Sequence, residues 1–217
     1  MRVTVRHLKD CGTGAGGFQP GNTCASGGGS SSGGSGGTPG RSPAANHSSA
    51  PKREDWINLA RNPNTPQDTL AAIAKIQNNE ARHWVARNPS VSPATLAVLA
   101  GDHDSNVRLA VARNARTSPE TLSRLAKYGD TDVRIAVMDN PSTSQHTLGY
   151  MYTDLNPDVR VALASHDRTK PETLGLLHRD EKWAVRQAVA RNPNTPSDAL
   201  AELRNDENEE VRNAAQR

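Results

Sequence analysis

The arginines carry the first chemical signal in this sequence. Arg82, Arg108, Arg134, Arg160, Arg186 and Arg212 recur at one fixed interval of 26 residues. A guanidinium is planar and permanently charged, and its paired donors match the two oxygens of a carboxylate or phosphate. Stacked in a column, such groups have two uses. They pair with turn acids, such as Asp132 or Asp158, or with helix C-termini, and tie one stretch of chain to the next. Alternatively, they face outward and bind the carboxylates or phosphates of a partner. Leu109, Ile135 and Val161 directly follow three of them. These apolar residues either pack between repeats or form a band beside the arginines. In the outward case the candidate partner-binding residues are Arg108, Leu109, Arg134, Ile135, Arg160 and Val161. Arg61, Arg87, Arg113 and Arg191 form a second, incomplete column.

Asparagine supplies another column: Asn62, Asn88, Asn114, Asn140 and Asn192. A carboxamide both donates and accepts, so it suits a turn whose backbone groups lack partners. We read this column as a buried structural ladder in preference to a ligand site. His166 interrupts it, which predicts a locally weaker fifth unit.

The N-terminal segment holds the remaining candidates. Gly12-Thr13-Gly14-Ala15-Gly16-Gly17 satisfies the dinucleotide pattern GxGxxG. That pattern needs a strand before it and a helix after it. Here Phe18-Gln19-Pro20-Gly21-Asn22 follows, a turn sequence, so a flexible tail is the preferred reading. Cys11 and Cys24 could pair, or join His7 around a metal, but tetrahedral zinc wants four ligands at tight spacing. Two free thiols are expected, with no metal and no cofactor. The other histidines (His47, His83, His103, His146, His166 and His178) fall at unrelated places in the period. No Ser/His/Asp set or carboxylate pair stands out, so no catalytic residue is predicted and the chain is read as a non-enzyme.

The elements that must position these columns follow from the repeat itself. Ala60-Arg61-Asn62-Pro63 returns as Ala86-Arg87-Asn88-Pro89 and as Ala190-Arg191-Asn192-Pro193, with drifting copies between. Six units fill residues 60–215. A fixed period in this range is the mark of a solenoid. A Thr or Ser and a Pro open the first helical segment, as in Thr117-Ser118-Pro119-Glu120. Ser or Thr caps a helix, Pro suits its first position, and an early acid complements its dipole. Leu122, Leu125 and Ala126 then form an i, i+3, i+4 apolar stripe. After a polar turn, a second helix carries Val133, Ala136 and Val137 on one face, and Asn-Pro ends it. Both helices are short, and one is expected to be 3₁₀. Trp84 takes the place of the small middle residue in the first unit, which implies an end repeat with open space beside it. No strand is predicted.

Charge is divided unevenly. Residues 1–53 hold six basic residues (Arg2, Arg6, Lys9, Arg41, Lys52 and Arg53) and one acid, Asp10. The remainder carries 20 Lys and Arg against 22 Asp and Glu, a net of −2 from totals of 26 and 23. The repeats are therefore near neutral, which weakens a nucleic-acid reading based on overall charge. Residues 25–50 are Gly/Ser-rich and are expected to be a disordered linker with a reach of about 25–30 Å. No run approaches the length of a membrane span, and the N-terminus lacks an apolar signal core, so a cytoplasmic monomer is expected. The domain reading is a tail over 1–53 and a helical repeat domain over 54–217.

The run Ala188-Val189-Ala190-Arg191-Asn192-Pro193-Asn194-Thr195-Pro196 resembles the leucine-rich repeat variant family, and the likeness extends over residues 60–215. The resemblance implies an all-α, right-handed superhelical solenoid of alternating α and 3₁₀ helices. Some members carry an Fe–S cluster on a Cys-rich N-terminal domain. Cys11 and Cys24 fall short of the four thiolates that a cluster needs, so no cluster is carried over. The family implies no general activity. The expected function is a protein-interaction scaffold using the face of the second helices, the alternative being a nucleic-acid-binding solenoid that uses the arginine stripe.

Overall fold

A computed structural model of the protein describes residues 53–216. The Gly12–Gly17 pattern, Cys11, Cys24, His7 and the Gly/Ser-rich linker lie outside the described residues.

The described chain begins with α1 (Arg53–Arg61). First and second helices then alternate: α2 (Gln67–Ile73) with α3 (Asn79–Arg87), α4 (Pro93–Leu99) with α5 (Ser105–Arg113), and α6 (Pro119–Tyr128) with α7 (Thr131–Asp139). The series continues through α8 (Gln145–Tyr150) with α9 (Pro157–Ser165), α10 (Pro171–Leu177) with α11 (Trp183–Arg191), and α12 (Ser197–Leu203) with α13 (Glu209–Ala214). There is no strand among the described residues.

Local sequence sets each boundary. Ser92, Ser118 and Ser144 accept hydrogen bonds from the N–H groups of Thr95, Thr121 and Thr147, and so cap the first helices. Proline follows the cap in α4 and α6, where its missing N–H costs nothing. Asn78, Asp104, Asn156 and Asn208 cap second helices in the same way. The 3₁₀ character implied by the family resemblance falls mainly in the closing turn of the first helices. Lys75 N–H donates to Ala72 O at 3.1 Å and Asp102 N–H to Leu99 O at 3.0 Å, both i→i−3 bonds. A separate 3₁₀ turn, Met151–Thr153, closes α8. Most of each first helix is thus α, because a segment of six to ten residues still closes i→i−4 bonds before it tightens.

The second helices stack in series, α1 on α3, α3 on α5, and so on to α13. Ala86, Ala112, Ala164 and Ala190 are fully buried along this stack, where a methyl group lets the backbones approach. The first helices add Leu70 and Ile73, Leu96 and Leu99, Leu122 and Leu125, Leu148 and Met151, and Leu174 and Leu177. Together they make one continuous apolar cluster.

Helix α1 was not anticipated. It lies one period before α3 and packs on it, a second helix that comes before the first complete pair. This overturns the reading of Trp84 as the side of an open end. Trp84 is half-buried, and the guanidiniums of Arg61 and Arg87 lie 4.3 and 5.0 Å from its ring centroid. The indole face attracts both cations and fills the space that alanine leaves in later units.

Candidate binding surface

The arginine column is built into the joints between units. Arg160 donates from Nε and Nη2 to the two carboxylate oxygens of Asp180, at 2.7 and 3.0 Å. Its Nη1 donates to the Asp154 carbonyl at 2.7 Å. Arg82 grips Asp102 and Arg186 grips Asp206 by the same two-point contact, and Arg134 grips Asp154. Each aspartate sits 20 residues beyond its arginine, in the next unit's turn. Its carbonyl then serves the arginine of its own unit, as Asp154 and Asp180 do. The two side chains of the Arg160–Asp180 pair are only 9% and 8% exposed.

This geometry corrects two expectations. The acids are Asp102, Asp154, Asp180 and Asp206, not Asp132 or Asp158, which lie in the first turns of α7 and α9. The donors of Arg108, Arg134 and Arg160 turn inward to the joints, so they do not form an outward stripe. The reason is register: the arginine enters the gap between successive turns, where the next unit presents a carboxylate.

The hydrogen bonds also set the acidity of the aspartates. Burial pushes Asp180 up, but the bonds from Arg160 and from Lys182 N–H outweigh it, and its pKa lies below the ordinary carboxylate value. Asp102 is held low by the same balance with Arg82 and Asp104 N–H. For Asp206 the Arg186 bond is the largest influence, opposed by burial.

One joint differs. Tyr128 stands where the period would place an aspartate, and it is 73% exposed. Arg108 pairs instead with Asp130, a carboxylate that is 53% exposed. Helix α6 here runs on to Tyr128, so the chain must turn at Gly129. A Cβ at Gly129 would lie 2.6 Å from Leu125 O and 2.7 Å from a Val133 methyl. Gly129→Ala should therefore lower stability by about 1–3 kcal/mol through overpacking. Denaturant midpoints would show it. An unchanged midpoint would mean that the turn after α6 shifts freely.

The asparagines cap the C-termini of second helices and reach back to the preceding unit. Asn140 Nδ2 donates to Ala112 O and Asn114 O at 2.7 and 2.9 Å, while its Oδ1 accepts from Ser142 N–H at 2.9 Å. Asn88, Asn114 and Asn192 repeat this set. Asn62, in the first turn, is exposed and turns its Oδ1 to Asn64 N–H. At His166 the expected weak unit has a substitute: Arg168 donates to Asn140 O at 3.0 Å and Thr143 O at 2.6 Å. A threonine ladder accompanies this one. The Oγ1 atoms of Thr65, Thr117, Thr143, Thr169 and Thr195 donate back to Leu59, Val111, Val137, Leu163 and Val189 carbonyls. The threonine of the Ser/Thr-Pro signature thus ties the end of the preceding second helix, a role beyond the cap that the signature implies for the following one. The threonine's 26-residue recurrence was the available signal for its second role.

Above these ladders lies the exposed side of the second helices. Leu109, Ile135 and Val161 form one row there, half-buried and packed against the core. Arg61, Arg87 and Arg113 are exposed at the ends of α1, α3 and α5. One period further on, Asp139 replaces them, 78% exposed. Between α3 and α5 a groove of about 610 Å³ is lined by His83, Arg87, Leu109, Arg113 and Arg116 among others. No group of three or more His, Cys, Asp or Glu among the described residues could hold a metal ion. No described helix is long and apolar enough to cross a membrane.

Comparison with known proteins places these columns in a wider setting. A family model described as a leucine-rich repeat variant domain matches residues 57–115. A second, for the leucine-rich repeat variant, matches residues 183–208. A solved structure described as a leucine-rich repeat variant with a novel repetitive protein structural motif is 29% identical, with a TM-score of 0.60. The alignment covers 74% of this chain and 63% of that one, so the chain spans less than two thirds of its neighbour's length. A search of curated proteins gave no match.

Proposed function

Because its repeats belong to the leucine-rich repeat variant family, we propose that the chain is a binding scaffold, with no catalytic role, whose second helices offer a surface to a partner protein. The observation that carries this reading is the row Leu109, Ile135 and Val161 on three successive helices. Apolar side chains left partly open on a braced surface favour a protein partner, which covers them on docking. Arg108, Arg134 and Arg160 serve this surface from below, as struts that fix the spacing of the helices. The repeats' net charge of −2, and the commitment of those arginines to aspartates, favour protein over nucleic acid.

A photo-cross-linking residue placed in the full chain tests this. Placed at Leu109, Ile135 or Val161, it should capture one and the same partner in cells. Placed at Val98 or Leu176, exposed on first helices, it should not. Capture only from Val98 and Leu176 would move the surface to the other side and sink the proposal.

A further inference from the structure

The charge around the groove between α3 and α5 says more about the occupant, on the premise that the second-helix side is the binding surface. Arg87, Arg113 and Arg116 are exposed at its rim, and none of the three has an ion pair among the described residues. This sets them apart from Arg82, Arg108, Arg134, Arg160 and Arg186, which all grip carboxylates of the array. Arg87 is also steered, since its guanidinium rests 5.0 Å from the Trp84 ring centroid. Leu109 supplies an apolar wall between the cations. The positive patch is short. Asp139 takes the place of Arg113 one unit on, at the end of α7, and Asp132 is exposed at the start of that helix and Asp158 at the start of α9.

We propose that this groove takes an extended acidic segment of a partner protein, with carboxylates on Arg87, Arg113 and Arg116 and an apolar side chain against Leu109. Charge complementarity fixes the class of occupant and its direction. The acidic part lies over α3 and α5, because Asp132, Asp139 and Asp158 repel its continuation toward α9. The same acids repel a nucleic acid, whose phosphates would have to continue along the array. Three cations around one apolar wall suit a short peptide, in which two or three carboxylates flank a single apolar residue.

The test uses the full chain and a fluorescein-labelled dodecapeptide of repeated Glu-Glu-Leu, read by anisotropy. Its Gln-Gln-Leu counterpart is the control. The Glu peptide should bind about tenfold or more tightly than the Gln peptide, and the combined change Arg113→Glu and Arg116→Glu should remove that preference. Arg124→Glu, at an exposed arginine on α6 away from the groove, should leave it intact. Circular dichroism should be the same for all three proteins, because the altered side chains are exposed and the one bond lost, from Arg124 to Ala97 O, is itself at the surface. Equal binding of the two peptides, or equal loss from Arg124→Glu, overturns the inference. So does tighter binding of a twelve-nucleotide single strand that the groove changes abolish. If the Glu peptide fails while cross-links still form through Ile135 and Val161, the scaffold reading stands and only the acidic segment falls.

Discussion

Asp180→Ala should destabilise the array by about 3–5 kcal/mol, because it leaves a buried guanidinium without its counter-ion. Arg160 would lose both bonds of its two-point contact and keep the carbonyl of Asp154. Glu181 approaches Arg160 at 3.5 Å but is 73% exposed, a poor replacement in that position. Lys182 N–H would lose its acceptor as well. The damage falls on the joint between α9 and α11, which pack directly on each other. In a stack where each unit rests on its neighbours, a weak joint can separate the two sides into independently melting blocks. Urea unfolding should therefore show a lower midpoint together with a broadened or two-step transition. A loss below about 1 kcal/mol, the range of exposed pairs, would mean that water or Glu181 restores the charge balance.

The same aspartates give stability a pH dependence of known sign. Asp102, Asp180 and Asp206 have folded-state pKa values below the ordinary one. A depressed carboxylate favours the folded state when ionised. Its contribution is complete above the unfolded value, about 3.9, and is lost as the pH falls through the lower folded values. The urea midpoint should thus hold from neutrality to about pH 5 and drop steeply below about pH 4. Asp180→Asn should flatten that drop, since the amide does not titrate. An equal slope in the variant would place the acid sensitivity elsewhere.

The period made most of this architecture readable. Helix starts at Ser92, Ser118 and Ser144, the leucine stripes and the Asn column all follow from residues that recur at fixed places with known local preferences. The arginine column was equally visible, but its direction was not. A helical angle gives the side from which a side chain leaves the helix. It does not say whether the long, flexible stem of an arginine then bends its guanidinium into the joint or out to solvent. The deciding fact was a second column, Asp102, Asp154, Asp180 and Asp206, at the same period. Tyr128 interrupts that column and hid it. Arg168 shows a related limit. It replaces the missing amide at residue 166 from two residues away, so only geometry could connect the two. The surface was less legible again. Arg87, Arg113 and Arg116 belong to different columns, and their common rim exists only once α3 and α5 are packed.

Asn140→Ala should be the next most damaging single change after loss of a buried aspartate. The amide is 2% exposed and satisfies three backbone groups: Ala112 O, Asn114 O and Ser142 N–H. Two of these belong to the preceding unit, so one side chain joins the C-terminal ends of α5 and α7. Truncation leaves all three groups without the partner that the amide supplied. Each unmade bond to a buried group costs about 1–3 kcal/mol. Partial access of water to the turn brings the expected total to about 2–4 kcal/mol. Asn140→Asp separates geometry from donation, because the carboxylate keeps the acceptor for Ser142 N–H but cannot donate to the two carbonyls. It should be destabilised about as much as the alanine variant at pH 7, through repulsion between its oxygens and those carbonyls. Asn62→Ala is the matched control, since Asn62 is exposed. It should cost less than about 1 kcal/mol. Similar losses at positions 62 and 140 would show that the asparagine acts only as a helix stop. Hydrogen exchange gives the sharper readout. In Asn140→Ala the amides of α5 and α7 should exchange faster together while those of α11 keep their protection.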